Sequence, residues 1–275
     1  MPELPETETI ARDLHRAIVG ARIVGARVIR PDVLREVAPK TFIKRVTGTT
    51  IERAWRRAKL VVIDLSSGDR IAVQPRFTGA LLIDDGSLPE SERRYSTVEL
   101  TLDDGRGVHY RDIRRLGTVA LMTPDRFARY VDALGIEPLD PSFTSAHLSV
   151  LLRGSRQAVK KVLMDQRAIA GLGNIYANEA LWRAGIDPSR AAARVSADEA
   201  ARLRDAIVAV LNESISHRGT SFRDYRDASG NRGGFVEHLA VYGRAGEACL
   251  RCSAKLIGTH EIDGRMTVLC ARCQS

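Results

Sequence analysis

All four cysteines of this 275-residue chain fall in its last 27 residues, as Cys249, Cys252, Cys270 and Cys273 in the pattern C-x2-C-x17-C-x2-C. Each pair can form a tight knuckle, and the stretch between the pairs is long enough for a hairpin. That spacing matches a tetrahedral four-thiolate zinc ribbon. Two disulfides are the alternative, and they are disfavoured in a chain with no secretory leader. The expected metal is one structural zinc, since four protein ligands leave no position for water. The hairpin also carries Arg251, Lys255, Arg265 and Arg272, which suits a nucleic-acid finger, although many zinc ribbons bind only protein.

Charge points the same way. Lys and Arg outnumber Asp and Glu by 42 to 34, a formal +8 with a pI near 9.6, which favours a polyanionic partner. No run approaches the roughly 20 apolar residues that cross a bilayer, and nothing resembles a signal peptide. Membrane-surface binding would need aromatic anchors, and aromatics are only 5% of the chain. The expectation is a soluble, cytoplasmic protein that binds nucleic acid and no membrane. Its length suits one large or two ordinary domains.

Along the chain, Ile10, Leu14 and Ile18 recur every four residues and predict an amphipathic helix with Gly20 just past its end. Short β-type runs follow at 23–29, 50–55, 60–65, 71–73, 98–102 and 119–122. Ser66-Ser67-Gly68-Asp69 and Asp103-Asp104-Gly105 supply hairpin turns, so residues 1–135 predict an antiparallel β-sandwich with flanking helices. Residues 136–144 read as a linker. Helical patterning then dominates 145–237. The stretch 150–170 carries Arg153, Arg156, Lys160, Lys161 and Arg167 against Asp165, either a solvated face or a phosphate-facing helix. Ser196 and Glu199 form a capping box for a long helix. Residues 220–235 lack core periodicity and predict a mobile loop, and 238–275 are the zinc hairpin.

The opening residues, Met1-Pro2-Glu3-Leu4-Pro5-Glu6, offer further chemistry. Removal of Met1 would leave Pro2 with a free secondary amine of pKa roughly 7.7–8, far below the value of about 10.4 for lysine. Such an amine attacks a sugar aldehyde carbon and forms a cationic iminium. Glu3 and Glu6 stand beside it as proton carriers. Taken alone, the stretch reads better as an ordinary helix start.

These opening residues, the run Gly171-Leu172-Gly173-Asn174-Ile175-Tyr176-Ala177-Asn178-Glu179 and the cysteine pattern, in consistent order from Pro2 to Cys273, resemble the bacterial formamidopyrimidine-DNA glycosylases, relatives of endonuclease VIII. The resemblance implies an α+β fold of two domains: an N-terminal β-sandwich, then a helix-two-turns-helix domain with a zinc-ribbon hairpin, and duplex DNA bound in the basic cleft between them. It maps Pro2 to the Schiff-base nucleophile, Glu3 to the acid and base that opens the sugar, and Lys59 to a lysine on the lesion's phosphodiester. It maps Asn174 and Arg265 to a phosphate-binding pair. A turn with exposed amides at a helix N-terminus suits that job physically.

Base excision requires the base to leave the stack, with side chains filling the gap. The family uses a methionine, an arginine and a phenylalanine, and the matching positions here are Phe77, Arg115 and Leu116. Gln74 stands where the family usually carries a histidine near the phosphates, and Pro75-Arg76 is atypical too. The resemblance implies a monomeric bifunctional glycosylase and abasic-site lyase that removes 8-oxoguanine and formamidopyrimidines, with 220–235 covering the everted base. The changed wedge leaves open an endonuclease VIII-like preference for oxidised pyrimidines. A non-catalytic binder of damaged DNA is the second alternative, and a protein-binding zinc scaffold the third.

Overall fold

The computed structural model describes residues 2–275, so Met1, whose removal is expected, lies outside the described residues. The chain forms two compact units. The first holds the residues up to Ala133 together with His217–Val236, and the second holds Leu134–Ser216 and Glu237–Ser275. Placing all of 145–237 in a helical domain therefore differs from the structure, in which His217–Val236 packs with the first unit. The cause is a pair of anchors: Tyr225 and Ala228 are buried in the sandwich core, a contribution that apolar periodicity does not reveal.

In the first unit α1 (Leu4–Ile18) buries Leu4, Ile10, Leu14 and Ile18. Nine strands follow: β1 (Ile23–Val28), β2 (Leu34–Arg35), β3 (Ile51–Arg57), β4 (Leu60–Leu65), β5 (Arg70–Gln74), β6 (Gly79–Asp84), β7 (Ser96–Leu102), β8 (Gly107–Asp112) and β9 (Thr118–Met122). They make a four-stranded sheet, β1-β7-β8-β6, and a five-stranded sheet, β2-β9-β5-β4-β3. Every pairing is antiparallel except the short parallel match of β2 with β9. Ile63, Ile71, Val73 and Val119 of one sheet face Leu81, Val98, Leu100 and Val108 of the other around a residual cavity of only about 20 Å³, the apolar interior of a sandwich.

Three of these strands, β2, β6 and β8, fall outside the predicted runs. In β8 the ionisable residues Arg111 and Asp112 hide the pattern, yet both are buried, for reasons the site supplies. Helix α2 (Pro39–Val46), also unpredicted, starts at a proline and plugs the core with Phe42 and Val46. A single turn, α3 (Glu90–Arg93), precedes β7, and α4 (Pro124–Val131) lays Phe127 over Leu60, Val62, Ala72 and Met122 on the outer face of the five-stranded sheet.

The second unit contains α5 (Ser145–Arg153), α6 (Val159–Met164), α7 (Asn174–Ala184) and α8 (Ala197–Ser216), then the hairpin β10 (Ile257–Thr259) and β11 (Thr267–Leu269). The helical stretch expected over 150–170 is two helices broken at 154–158. Lys160, counted among its surface basic residues, is fully buried, donating to Thr267 Oγ1 at 2.7 Å and pairing with Asp263 at 3.4 Å. The expected linker is fastened as well: Ile136 bridges Ile169, and a Cβ on Gly135 would lie 2.3 Å from the Ala168 carbonyl. The Ser196–Glu199 capping box starts α8 as expected. Among the described residues no helix is long and apolar enough to cross a membrane.

Candidate active site and nucleic-acid interface

The start of α1 is a closed hydrogen-bond arrangement. Glu3 is the N-cap; its backbone N–H donates to Glu6 Oε2 at 2.7 Å, and its side chain accepts the Glu6 N–H in return. The other oxygen of Glu6 accepts the backbone N–H of Thr220 at 2.8 Å. Glu6, expected as a proton carrier, is buried and holds two segments of backbone instead. Pro2 and Glu3 are buried beside it.

Lys59 sits with Ala58 in the two-residue turn that joins β3 to β4, where Arg57 pairs with Leu60. Ala58 adopts φ +53°, a left-handed conformation usual for Gly or Asn, so the turn needs outside support. Support comes from Arg56 Nη1, 3.1 Å from the Ala58 carbonyl, and from Thr7 Oγ1 at 3.5 Å. Arg56 is held in turn by Glu8 of α1 at 2.8 Å. Lys59 is buried, 9% exposed, and its turn is hung from the first turns of α1. Burial pushes the Glu8 carboxyl up, but Arg56 and Arg12 outweigh it and hold Glu8 below the usual carboxylate range.

Gln74 ends β5 opposite Thr118 of β9. The loops after Gln74 and Asp112 are joined through the buried Asp112 carboxylate, which accepts from Thr78 Oγ1, from the Gly117 N–H at 2.8 Å and from Tyr110 Oη at 3.2 Å. Burial and the adjacent Asp112 push the Tyr110 hydroxyl far above its ordinary range, so it stays a donor. Gly117 is required here, because a Cβ would lie 1.9 Å from the Tyr110 oxygen. This scaffold presents Phe77 (47% exposed), Leu116 (40%) and Ile113 (38%) to solvent. The Arg114 guanidinium lies 5.3 Å from the Phe77 ring centroid. Arg115, expected in the gap-filling role, has φ +51° and pairs with Asp32 at 3.2 Å. The guanidinium beside Phe77 is thus that of Arg114, while Arg115 is turned to Asp32.

The segment expected as a mobile loop is built around a buried carboxylate. Asp227 accepts from Arg218 Nη2 at 2.6 Å and from the N–H groups of Ser229 and Asn231, while Arg218 also reaches Asp13 of α1. Burial and the nearby Glu6 push the Tyr225 hydroxyl well above its usual range; it donates to the Arg218 carbonyl at 3.1 Å. Phe222, Arg223, Ser229, Asn231, Arg232 and Gly234 stay exposed.

In the second unit Asn174 is the first residue of α7, after the N-cap Gly173. Its Nδ2 donates to the Met266 carbonyl at 2.9 Å, and Asn178 Oδ1 accepts the Val268 N–H at 2.7 Å, so α7 grips the hairpin that carries Arg265. Arg265 is exposed. Gln166 shapes the preceding turn, accepting the Gly171 N–H and donating to the Leu172 carbonyl, a role with no signature in the sequence. The sulfur atoms of Cys249, Cys252, Cys270 and Cys273 all lie within 4.8 Å of one another, with Cys249 and Cys273 at 3.9 Å and Cys252 and Cys270 at 3.5 Å. A tetrahedral ion with metal–sulfur bonds of about 2.3 Å needs sulfurs about 3.8 Å apart, so the cluster can hold a metal ion. Arg251, expected as a finger arginine, lies 4.1 Å over the Trp182 ring and donates to the Trp182 and Arg183 carbonyls, stapling the cysteine knuckle to α7.

Residues 1–119 match the model of the formamidopyrimidine-DNA glycosylase N-terminal domain, and 134–226 that of the formamidopyrimidine-DNA glycosylase H2TH domain. Among curated relatives, the formamidopyrimidine-DNA glycosylase of Roseiflexus sp. (strain RS-1) is 43% identical over 277 residues, and that of Carboxydothermus hydrogenoformans 40% over 274, each covering 100% of both chains. Among solved structures, Lactococcus lactis Fpg in complex with abasic-site DNA superposes with a TM-score of 0.91 at 30% identity, over 99% of each chain. The wild-type Lactococcus lactis enzyme with DNA containing N7-benzyl-Fapy-dG gives the same score and identity over 100% of each.

Proposed function

The chain belongs to the formamidopyrimidine-DNA glycosylase family, and from that premise we propose that it excises oxidised purines, 8-oxoguanine and formamidopyrimidines, from duplex DNA and then cleaves the abasic strand. The observation that carries this reading is the assembly at the start of α1. Glu6 clamps Glu3 and Thr220, and Thr7 and Glu8 support the turn that bears Lys59.

In this reading the free amine of Pro2 attacks the anomeric carbon of the everted nucleoside, and the bond to the base breaks with its electron pair leaving on the base. Glu3 delivers a proton to the ring oxygen as the sugar opens to the iminium. Loss of a 2′ proton expels the 3′ phosphate, and a second elimination expels the 5′ phosphate. Lys59 contacts the lesion's phosphodiester, and Asn174 with Arg265 takes neighbouring phosphates. Phe77, Leu116 and an arginine of the Arg114-Arg115 pair fill the gap, with Gln74 near the backbone. The four cysteines hold one zinc, which supplies structure to the Arg265 hairpin and no chemistry. The altered wedge favours no other lesion class by itself, but it makes opposite-base preference the feature most open to change.

The test uses protein shown by mass to begin at Pro2, incubated with borohydride and duplexes carrying an abasic site, 8-oxoguanine or thymine glycol. A covalent adduct on the abasic duplex and preferential excision of 8-oxoguanine are expected. Absence of the adduct overturns the enzyme reading in favour of a non-catalytic binder. Preference for thymine glycol overturns the substrate class. Adduct formation through this position in a chain extended before Pro2 would refute the nucleophile, since an acylated nitrogen cannot form the iminium.

A further inference from the structure

Arg111 of β8 is a buried cation that none of the proposed catalytic steps uses; its side chain is 5% exposed. Its Nε pairs with Glu92 of α3 at 2.6 Å. Its Nη1 donates to the Thr78 carbonyl at 2.9 Å and reaches the Asp224 carbonyl at 3.5 Å. Thr78 follows Phe77 directly and is bound to Asp112, while Asp224 lies beside the exposed tip of His217–Val236. One guanidinium thus joins the turn that presents Phe77, the 217–236 segment and the α3 turn that carries Glu92.

We infer that Arg111 is a positioning residue that couples the Phe77 turn to the 217–236 segment, so that insertion into the stack and enclosure of the everted base are achieved together. The inference rests on the glycosylase reading above. Its physical basis is the planar fork of arginine, which donates in several fixed directions at once; an ammonium serves fewer of these acceptors, and an apolar side chain none. The other anchors of the segment, Glu6 on the Thr220 N–H and the Asp227 hub, do not involve Arg111. Loss of Arg111 therefore loosens the tip while the start of α1 is kept. Breaking the bond to the base needs the base held in place. Elimination at a preformed abasic site has no base to hold.

The experiment compares the unaltered enzyme with Arg111→Met and Arg111→Lys, measuring single-turnover excision of 8-oxoguanine, elimination at a preformed abasic site, and Tm. Arg111→Met is expected to lose about tenfold or more in excision with elimination within about twofold, and Arg111→Lys to recover part of the loss. Equal loss in both reactions, or loss in neither, overturns the inference. If Arg111→Met does not fold, Arg111→Lys, whose ammonium serves fewer of the same acceptors, is judged by the same split. Failure of the unaltered enzyme on both substrates instead overturns the functional reading itself.

Discussion

The side-chain amide of Asn174 donates to the carbonyl of Met266, 2.9 Å away, and so ties the first residue of α7 to the neighbour of Arg265. The two proposed phosphate-binding positions are mechanically one. Arg265→Ala should weaken binding to an abasic-analogue duplex by about tenfold and lower the slope of log affinity against log salt by about one, whereas Asn174→Ala, which removes no charge, should weaken binding with a smaller change of slope. The double variant should fall short of the sum because the two share a mount. Titrations at several salt concentrations measure all three, and strict additivity would show that the tie is without effect.

Metal removal should act through the same mount. Cys249 and Cys270 are buried with Val241, Leu256 and Val268 in a small cluster of their own, too few side chains to hold a hairpin without the ion. Stripping the metal with a chelator, or Cys270→Ser, should release about one zinc per chain and abolish tight DNA binding. Metal analysis and binding check this. The sandwich, which has a separate core, should keep its near-ultraviolet signal.

The two arginines of the wedge turn should differ. Arg114 lies over Phe77, whereas Arg115 pairs with Asp32 at a half-exposed site, where such pairs contribute about 0–1 kcal/mol. Arg114→Ala should slow 8-oxoguanine excision by about tenfold or more, similar to Phe77→Ala, and Arg115→Ala by less than about threefold. The reverse order in single-turnover kinetics would return the gap-filling role to Arg115.

Glu8 gives a pH signature. Its folded pKa is lowered, so its pairing with Arg56 contributes stability above the unfolded value of about 4.3, and that contribution is lost as pH falls through the folded value. Glu8→Gln should cost about 1–3 kcal/mol at pH 7, an intermediate figure for a pair that is only partly buried. The difference from the unaltered protein should shrink as pH falls below about 4.3 and vanish once Glu8 is protonated in the folded state as well. Because Arg56 supports the Ala58 carbonyl, the variant should also slow elimination at pH 7. Denaturant titrations at pH 7 and pH 3.5, with trapping rates at pH 7, test both parts.

Sequence by itself determined the features that depend on local pattern or bond geometry. The 3.6-residue repeat of Ile10, Leu14 and Ile18 marks α1, the C-x2-C spacing predicts a four-sulfur cluster, and the linear motifs identify the family. The positions it singled out are where a site can be sought. Which side chains build that site was decided by contacts between residues far apart in the chain, which no local pattern encodes. Glu6 became a clamp because the Thr220 N–H, 214 residues on, reaches it. Arg111 and Asp112 look like surface residues and are buried because partners on α3 and the Phe77 turn satisfy their charge. Residues 220–235 read as slack because the core they enter, through Tyr225 and Ala228, belongs to strands more than 100 residues earlier. Lys160 and Arg251 likewise exchanged a predicted surface for acceptors on a distant element. Burial of a polar residue depends on its partners, and only the tertiary structure supplies them.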